Sequence, residues 1–219
     1  MLSGILSGQS TKNKGWLFLS HKQNLSNNWA LLAEAQVRSE DKFESVNTLL
    51  LRGALSYGFN KKHSAVVGYT YKGDWEHKES KISYQPENRL YEQYLFNTKI
   101  SKIEFTARAR FEQRFVKEET KYKFSQRARA YINFQIPFVA NADFSKGVYT
   151  SFQNEIFLNV QNKKFVNNDV FDQNRLQAGI GYRWSKHLDT DINYMFWRQK
   201  EIDSYISSNV FVLMLTTEL

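Results

Sequence analysis

Apolar and polar side chains alternate at period two along most of the chain, and the clearest example lies between Ile103 and Tyr131. Successive side chains of a β-strand point to opposite faces, so this alternation predicts two consecutive strands. In the first, the apolar face carries Ile103, Phe105, Ala107, Ala109, Phe111 and Phe115, and the charged face carries Glu104, Arg108, Arg110, Glu112 and Arg114. In the second, after a short loop at 117–120, Tyr122, Phe124, Ala128 and Ala130 oppose Lys123, Arg127, Arg129 and Tyr131. An apolar phase on one side and a polar one on the other would explain the pattern.

The same pattern predicts strands from end to end and no helix. The predicted strands lie at 14–23, 29–38, 46–59, 63–76, 88–100, 103–115, 121–136, 148–161, 173–185, 188–200 and 205–218. Eleven is an odd number, whereas bacterial single-chain barrels usually have an even one. Either residues before Thr11 supply a twelfth strand, or one segment is split or spurious. The fold prediction is therefore an all-β antiparallel transmembrane β-barrel of 10 to 12 strands, with 12 preferred.

The connections between these strands alternate in length. Short ones fall at 24–28, 60–62, 101–102 and 186–187, and longer polar ones fall at 39–45, 77–87 and 162–172. Outer-membrane barrels show this asymmetry, with tight periplasmic turns and longer outer loops. The exceptions are a long connection at 137–147 and brief ones at 116–120 and 201–204. With 2 Pro, 10 Gly and no linker, the chain divides only into an N-terminal segment at 1–13, a signal-peptide remnant or extra strand, and a barrel at 14–219.

Aromatic residues indicate which face meets lipid, since a soluble lipocalin-like barrel would show the same alternation with its apolar face inside. Large rings recur on the apolar face beside the short turns, at Trp29, Tyr57, Phe59, Tyr182 and Trp184, while the middle of each strand is aliphatic or small. Amphipathic rings favour the headgroup boundary of a bilayer. We therefore expect the apolar face to point toward lipid. Two residues run against this assignment, because Glu92 and Asn154 fall on the same face.

Composition narrows the class of protein further. The mean hydropathy of −0.57 and the absence of any apolar run near the roughly 20 residues of a helical span exclude a helical membrane protein. A barrel tolerates such an average, because every second residue faces a polar interior. The net charge of +8 comes from Lys and Arg interleaved with Asp and Glu, which argues against a nucleic-acid partner. The chain has no Cys and therefore no disulfide or thiolate metal site.

The charged face predicts a network of side chains inside the barrel. Its candidate members are Arg89, Glu104, Arg108, Arg110, Glu112, Arg114, Arg127, Arg129, Glu155 and Arg175. Two interpretations stay open. Arg108, Arg110, Arg127, Arg129 and Arg175 could form a cross-strand ladder with Glu104, Glu112 and Glu155 that fills a narrow lumen. Alternatively, the excess of cations forms a constriction that favours anions where water can pass.

Several short motifs carry a resemblance to a known family. They are Glu87-Asn88-Arg89-x-Tyr91-Glu92-Gln93, Arg108-Ala109-Arg110-Phe111-Glu112-Gln113-Arg114, Arg127-Ala128-Arg129 with Pro137, Asn154-Glu155-Ile156-Phe157-Leu158-Asn159, and Gln173-Asn174-Arg175-Leu176-x-Ala178-Gly179. In this order, over about residues 16–197, the chain resembles the domain-of-unknown-function family numbered 2490. The resemblance implies a predicted outer-membrane barrel of Bacteroidota and brings no catalytic residues. The short apolar start differs from the signal peptide that such a protein would carry.

No motif of catalysis or metal binding is present. A phosphate loop, a zinc-ligand spacing and a nucleophile elbow are all lacking, and none of His21, His63, His77 and His187 has a Ser partner fixed by sequence. We expect no catalytic residues, cofactor or metal. The predicted function is a structural or accessory subunit of a bacterial outer-membrane complex, with a narrow anion-preferring pore and an outer-membrane lipid hydrolase as alternatives. The expected partners are the lipid bilayer, lipopolysaccharide and other outer-membrane proteins.

Overall fold

A computed structural model describes residues 11–78 and 81–219, and it shows a closed β-barrel. The all-β fold predicted from the alternation is confirmed. The strands are β1 (Thr11–Asn24), β2 (Trp29–Ser39), β3 (Val46–Gly58), β4 (His63–Lys78), β5 (Lys81–Ile100), β6 (Ile103–Glu118), β7 (Lys121–Ala140), β8 (Gly147–Gln161), β9 (Phe171–Ser185), β10 (Leu188–Lys200) and β11 (Tyr205–Glu218). Two short 3₁₀ turns lie at Asp41–Phe43 and Lys163–Phe165, and no helix of the described residues is long and apolar enough to cross a membrane.

The barrel closes with eleven strands, because its first and last strands pair in parallel. Neighbouring strands are otherwise consecutive and antiparallel, whereas β1 pairs with β11 from Thr11↔Ser207 to Lys22↔Glu218. The predicted range of ten to twelve strands is confirmed, with eleven in place of the preferred twelve. A parallel closure removes the need for an even number. A twelfth strand from residues 1–10 would lie outside the described residues, and Thr11 to Asn13 already belong to β1.

The connections lie at two ends of the barrel, which we call the loop end and the turn end. The loop end holds 40–45, 119–120, 162–170 and 201–204, and the turn end holds 25–28, 59–62, 101–102, 141–146 and 186–187. The predicted loop at 77–87 is wrong, since β4 and β5 stay paired as far as Lys78↔Lys81. The predicted connection at 137–147 is likewise shorter, because β7 continues past Pro137 through a register shift.

The outer surface of the barrel is apolar and its interior is charged. Exposed side chains include Leu51 (45 %), Ile180 (60 %) and Ile192 (69 %), whereas Glu112 (1 %) and Arg127 (3 %) are buried inside. Four buried apolar side chains form a small cluster on one side of the interior: Trp16, Met195, Val210 and Val212. The period-two alternation of the sequence thus becomes an apolar exterior around a charged interior.

Candidate functional site in the barrel interior

One side of the interior, which we call the salt-bridged wall, centres on Glu112 of β6. Its carboxylate accepts hydrogen bonds from Arg127 at 2.9 Å (Nε) and 2.6 Å (Nη2) and from Arg129 at 2.6 Å (Nη1). Arg127 lies directly across from Glu112 in the β6–β7 register, and Arg129 is the next inward-facing residue of β7. Two neighbouring inward positions on one strand therefore bind one carboxylate on the next, as charged cross-strand neighbours commonly do.

Two further carboxylates continue the salt-bridged wall onto β8 and β9. Glu155 accepts hydrogen bonds from Arg129 Nε at 2.9 Å and from Arg108 Nη2 at 2.5 Å. Asp172 accepts one from Arg127 Nη1 at 2.6 Å. The guanidinium groups of Arg127 and Arg129 each bridge two acids, so the ion pairs form a connected network rather than isolated bridges.

Glu87 anchors the loop end of the same wall. It binds Arg89 through two hydrogen bonds of 2.7 Å and Arg114 through bonds of 2.6 and 3.3 Å. The sequence interpretation had assigned Glu87 and Asp172 to loops and missed both. The signal for Glu87 was its position two residues before Arg89, on the same face of a strand. Asp172 had no such signal, because β8 and β9 change register between Phe157 and Leu158.

Three predicted members of the network depart from the expected ladder. Glu104 pairs instead with Arg183 at 3.0 Å and with Lys99 at 2.7 Å, near the turn end. Arg110 donates to the Gln93 amide at 2.8 and 2.5 Å, and its closest approach to a carboxylate is 3.8 Å, to Glu112. Arg175 takes no part in any salt bridge of the described residues. Among the described residues, Glu104 and Arg175 therefore lie outside the salt bridges around Glu112 and Glu155, and Arg110 reaches Glu112 at 3.8 Å.

The other side of the interior, which we call the tryptophan wall, is built by β1, β2 and β9–β11. The indoles of Trp16 and Trp197 meet edge to face, with ring centroids 5.2 Å apart. The Arg38 guanidinium lies 3.9 Å above the Trp16 ring, and Arg175 lies 5.0 Å from Trp16 and 5.2 Å from Trp197. Lys14 lies 5.2 Å from the Trp197 ring. Three cations thus surround two aromatic rings.

These three cations have no acidic partner. Among residues 11–78 and 81–219, no carboxylate oxygen lies within 4.0 Å of the charged group of Lys14, Arg38 or Arg175. Arg38 donates only to Gln36, at 3.2 and 2.5 Å, and Arg175 donates to Gln173 at 3.1 Å. The buried Nε of Arg175 finds no acceptor in the part of the chain that the structure describes. The described residues thus give these three cations no salt bridge, and acidic groups act on them only over longer distances: Glu40 and Asp41 on Lys14, Glu34 and Asp74 on Arg38, and Glu155 on Arg175.

A cavity of about 490 Å³ separates the two walls. Ten basic side chains line it against four acidic ones: Lys14, Arg38, Arg52, Lys72, Arg89, Arg108, Arg114, Arg127, Arg129 and Arg175, with Glu34, Asp74, Glu155 and Asp172. At the loop end the cavity shares Lys14, Asn47 and Asp74 with a wider vestibule of about 680 Å³. The vestibule itself is acidic, since Glu40, Asp41, Asp74, Glu76, Glu118 and Glu119 line it together with Lys12, Lys14 and Lys117.

A plug built from the 141–146 connection fills part of the turn end. Phe144 folds into the barrel, where only 3 % of it is exposed, and its ring packs edge to face against Tyr149 at 5.6 Å. The Arg183 guanidinium lies 4.0 Å above the Phe144 ring and donates to the Phe144 carbonyl at 3.1 Å. Arg183 also binds Asp189 at 3.0 Å. This part of the interior is packed and ion-paired.

The four histidines were candidates for catalysis, and one of them gains partners from a loop. His77 Nδ1 lies 2.9 Å from Glu40 Oε1 and 3.4 Å from Ser45 Oγ. A Ser-His-acid triad uses the two ring nitrogens for different partners, whereas here both partners approach Nδ1. The hydrogen bond with His77 holds the pKa of the exposed Glu40 carboxyl below its ordinary value. In the described residues, no group of three or more metal-ligating side chains is present.

Comparison with known protein families gives a match over most of the chain. The profile of the family described as "Protein of unknown function (DUF2490)" matches residues 13–205. The chain belongs to this family. The match extends from β1 to the start of β11 and includes every residue of both interior walls that forms a pair described above. Neither a search of curated proteins nor one of solved structures finds a match to this DUF2490 chain.

Proposed function

We propose that this DUF2490 protein is an integral β-barrel of the bacterial outer membrane, with its loop end toward the lipopolysaccharide leaflet. The observation that carries the proposal is the polarity of the wall, which is apolar outside and charged inside. A soluble barrel would bury its apolar face and expose its charged one. This barrel has the reverse arrangement. Val67 (64 %) and Ile180 are exposed on opposite parts of the wall, and Glu112 and Arg127 are buried inside. Such an exterior fits hydrocarbon rather than water.

Aromatic rings near both ends of the barrel support the same proposal. Near the turn end, Trp29 packs against Tyr57 at 4.8 Å, and Tyr182 packs against Trp184 at 4.6 Å. Toward the loop end, the corresponding pairs are Trp75 with Tyr84 at 5.1 Å and Phe115 with Phe124 at 5.2 Å. Two girdles of rings flanking an apolar band are typical of membrane barrels.

The proposal is tested by placing a charge on the outer face. Leu51→Lys and Ile180→Lys should each lower the free energy of unfolding in lipid by about 2–4 kcal/mol, because lysine at the bilayer midplane is destabilising. Ile82→Lys is the matched control, since the exposed Ile82 lies on the β4–β5 extension at the loop end. Heat-modifiable mobility on gels and partition into the outer-membrane fraction measure the outcome. Equal tolerance of all three substitutions contradicts a lipid-facing exterior.

Within the membrane, we propose that the protein is an accessory subunit of a larger complex. Two polar pairs interrupt the apolar exterior between β5 and β9. Gln113 donates to Glu92 at 3.0 Å, although the cross-strand neighbours of Glu92 are Val67 and Phe111. Asn154 and Asn174 exchange amide hydrogen bonds of 3.3 Å. Polar groups at membrane depth are costly against lipid and are expected to face protein or water.

Co-purification tests the accessory role. Glu92→Leu and Asn154→Leu should reduce the recovery of partner proteins in mild detergent, while the barrel itself stays folded. Asn209→Leu is the matched control, because Asn209 is a polar residue of β11 on the other side of the barrel, bound to Tyr194 at 2.6 Å. A wild-type barrel that purifies alone under all mild conditions contradicts this role.

A second candidate function is a narrow anion-preferring pore, which the cationic cavity supports. Rings of fixed charge select ions of the opposite sign where water passes. The excess of basic over acidic lining residues predicts small conductance steps with anion preference in planar bilayers. Absence of conductance removes the pore. The lipid-hydrolase alternative stays a hypothesis and is not part of the proposal, because the surroundings of His77 lack triad geometry.

A further inference from the structure

Three cations of the tryptophan wall that form no salt bridge with any described residue point to a ligand. On the salt-bridged wall, Glu112, Glu155 and Asp172 form salt bridges with Arg127 and Arg129, although the buried Nε of Arg108 and Nη1 of Arg110 lack an acceptor among the described residues. Lys14, Arg38 and Arg175 line the same cavity without such a salt bridge. Charges removed from water are costly unless an opposite charge or hydrogen-bond acceptors replace the lost solvation.

Aromatic contact does not replace a counter-ion here. A cation over an aromatic face gains roughly 0.5–2 kcal/mol and leaves the N–H donors at the edge of the guanidinium unsatisfied. The buried Nε of Arg175 is one such donor. The rings of Trp16 and Trp197 instead hold the guanidinium groups in place, since Arg175 contacts both indoles and Phe157, at 4.7 Å, as well. Preorganised donors are what an anion site requires.

We infer that Lys14, Arg38 and Arg175 bind a small oxyanion, of the phosphate class, inside the barrel. A planar guanidinium presents paired N–H donors that match two oxygens of one phosphate, and two of the three cations are arginines. The cavity of about 490 Å³ has room for such an anion and shares Lys14 with the vestibule at the loop end. The inference deepens the anion-preferring function and rests on it for access through the loop end.

The acidic residues of the vestibule affect the entry of an anion into the cavity. Glu40 and Asp41 lie at the mouth beside Lys12 and Lys14 and repel an incoming anion at low salt. At physiological ionic strength the Debye screening length is about 8 Å. Salt therefore weakens the repulsion by these carboxylates at the mouth more than it weakens the attraction of an anion to cations in the partly enclosed cavity.

Isothermal titration calorimetry in a non-ionic detergent tests the site with inorganic phosphate as the probe. Wild-type protein should bind phosphate saturably, and Arg38→Gln and Arg175→Gln should each weaken binding at least tenfold. Arg38→Lys should retain part of the affinity, because it keeps the charge. Lys22→Gln is the control, since Lys22 pairs with Glu218 outside the cavity at 2.6 Å and should leave binding unchanged. Circular dichroism confirms that each variant is folded.

A parallel titration with short-chain phosphatidic acid separates the sources of the oxyanion. Binding of inorganic phosphate indicates a soluble ligand, and binding of phosphatidic acid alone indicates a lipid headgroup. Either result supports the oxyanion site if Arg38→Gln abolishes the binding. No binding of either probe, or equal binding by the variants, overturns the inference.

Bilayer conductance is measured separately, so that the site and the pore can fail independently. Binding without conductance leaves the site and removes the pore. Anion-preferring conductance that is unchanged in Arg38→Gln and Arg175→Gln overturns the site and leaves the pore.

Discussion

The two walls of the barrel interior use the same residue type in opposite ways. On the salt-bridged wall, Arg127 and Arg129 each contact two carboxylates, whereas on the tryptophan wall Arg38 and Arg175 contact rings and amides. The alternating pattern that places these arginines inside is identical for both walls. The neighbours on other strands therefore decide whether an inward-facing arginine is held in salt bridges or is available to a ligand. Its position in the alternating pattern does not decide this.

The largest effect is expected at the centre of the salt-bridged wall. Glu112→Gln should lower the free energy of unfolding by about 3–5 kcal/mol, because it leaves two buried guanidinium groups without their shared acid. Glu218→Gln is the matched control: Glu218 is half-exposed, pairs with Lys22, and should cost about 0–1 kcal/mol. Urea unfolding in detergent, followed by circular dichroism, measures both. Similar small losses for the two variants would mean that the network of Glu112 contributes nothing beyond a surface bridge.

An intermediate effect is expected at the border between the walls. Phe157 of β8 lies 4.3 Å from the Arg129 guanidinium of one wall and 4.7 Å from the Arg175 guanidinium of the other. Phe157→Leu keeps most of the apolar volume and removes the aromatic face, so a loss of about 1–2 kcal/mol is expected. The same unfolding assay applies. If phosphate binding is unchanged in this variant, the ring does not hold Arg175 in place for a ligand.

The smallest effect on stability is expected on the tryptophan wall. Arg38→Gln should change the free energy of unfolding by less than about 1 kcal/mol, because the lost ring contact is offset by removal of a buried charge that forms no salt bridge with any described residue. Arg129→Gln, its counterpart on the salt-bridged wall, breaks pairs with Glu112 and Glu155 and should cost about 3–5 kcal/mol. Equal losses in the free energy of unfolding for the two substitutions would contradict the distinction between the walls.

Much of the fold could be predicted from the chain, because in a barrel wall each strand follows the same rule of alternation. The bounds of β10 and β11 match the predicted segments, and β6 begins at the predicted Ile103. The rule fails where both faces of a strand are polar. Between Glu76 and Glu87 polar residues occupy both faces, so the β4–β5 hairpin was read as a loop although its strands pair throughout.

The candidate site was less predictable, for reasons of geometry. Alternation places Arg175 and Trp197 inside, but it does not say which strands face each other across the cavity. Trp16 on β1 meets Trp197 on β10 only because the barrel closes through β11. No hairpin connects β1 with β11, so no turn motif in the sequence predicts that they pair. Alternation along β2 turns Arg38 inward, but whether a carboxylate lies close enough for a salt bridge depends on distances to several strands at once.

The parallel seam between β1 and β11 gives the barrel a place to open sideways. Parallel pairing is slightly less stable per residue than antiparallel pairing, so this seam is the weakest line of the wall. Its turn end is fastened by hydrogen bonds from Leu219 N to the Lys22 carbonyl at 2.9 Å and from Asn24 N to the Leu219 carbonyl at 2.7 Å. Unzipping should therefore start at Thr11, and the amides of β1 should exchange with deuterium before those of β7. In the proposed membrane location, a transient gap there would bring Trp16 and the cations around it into contact with lipid.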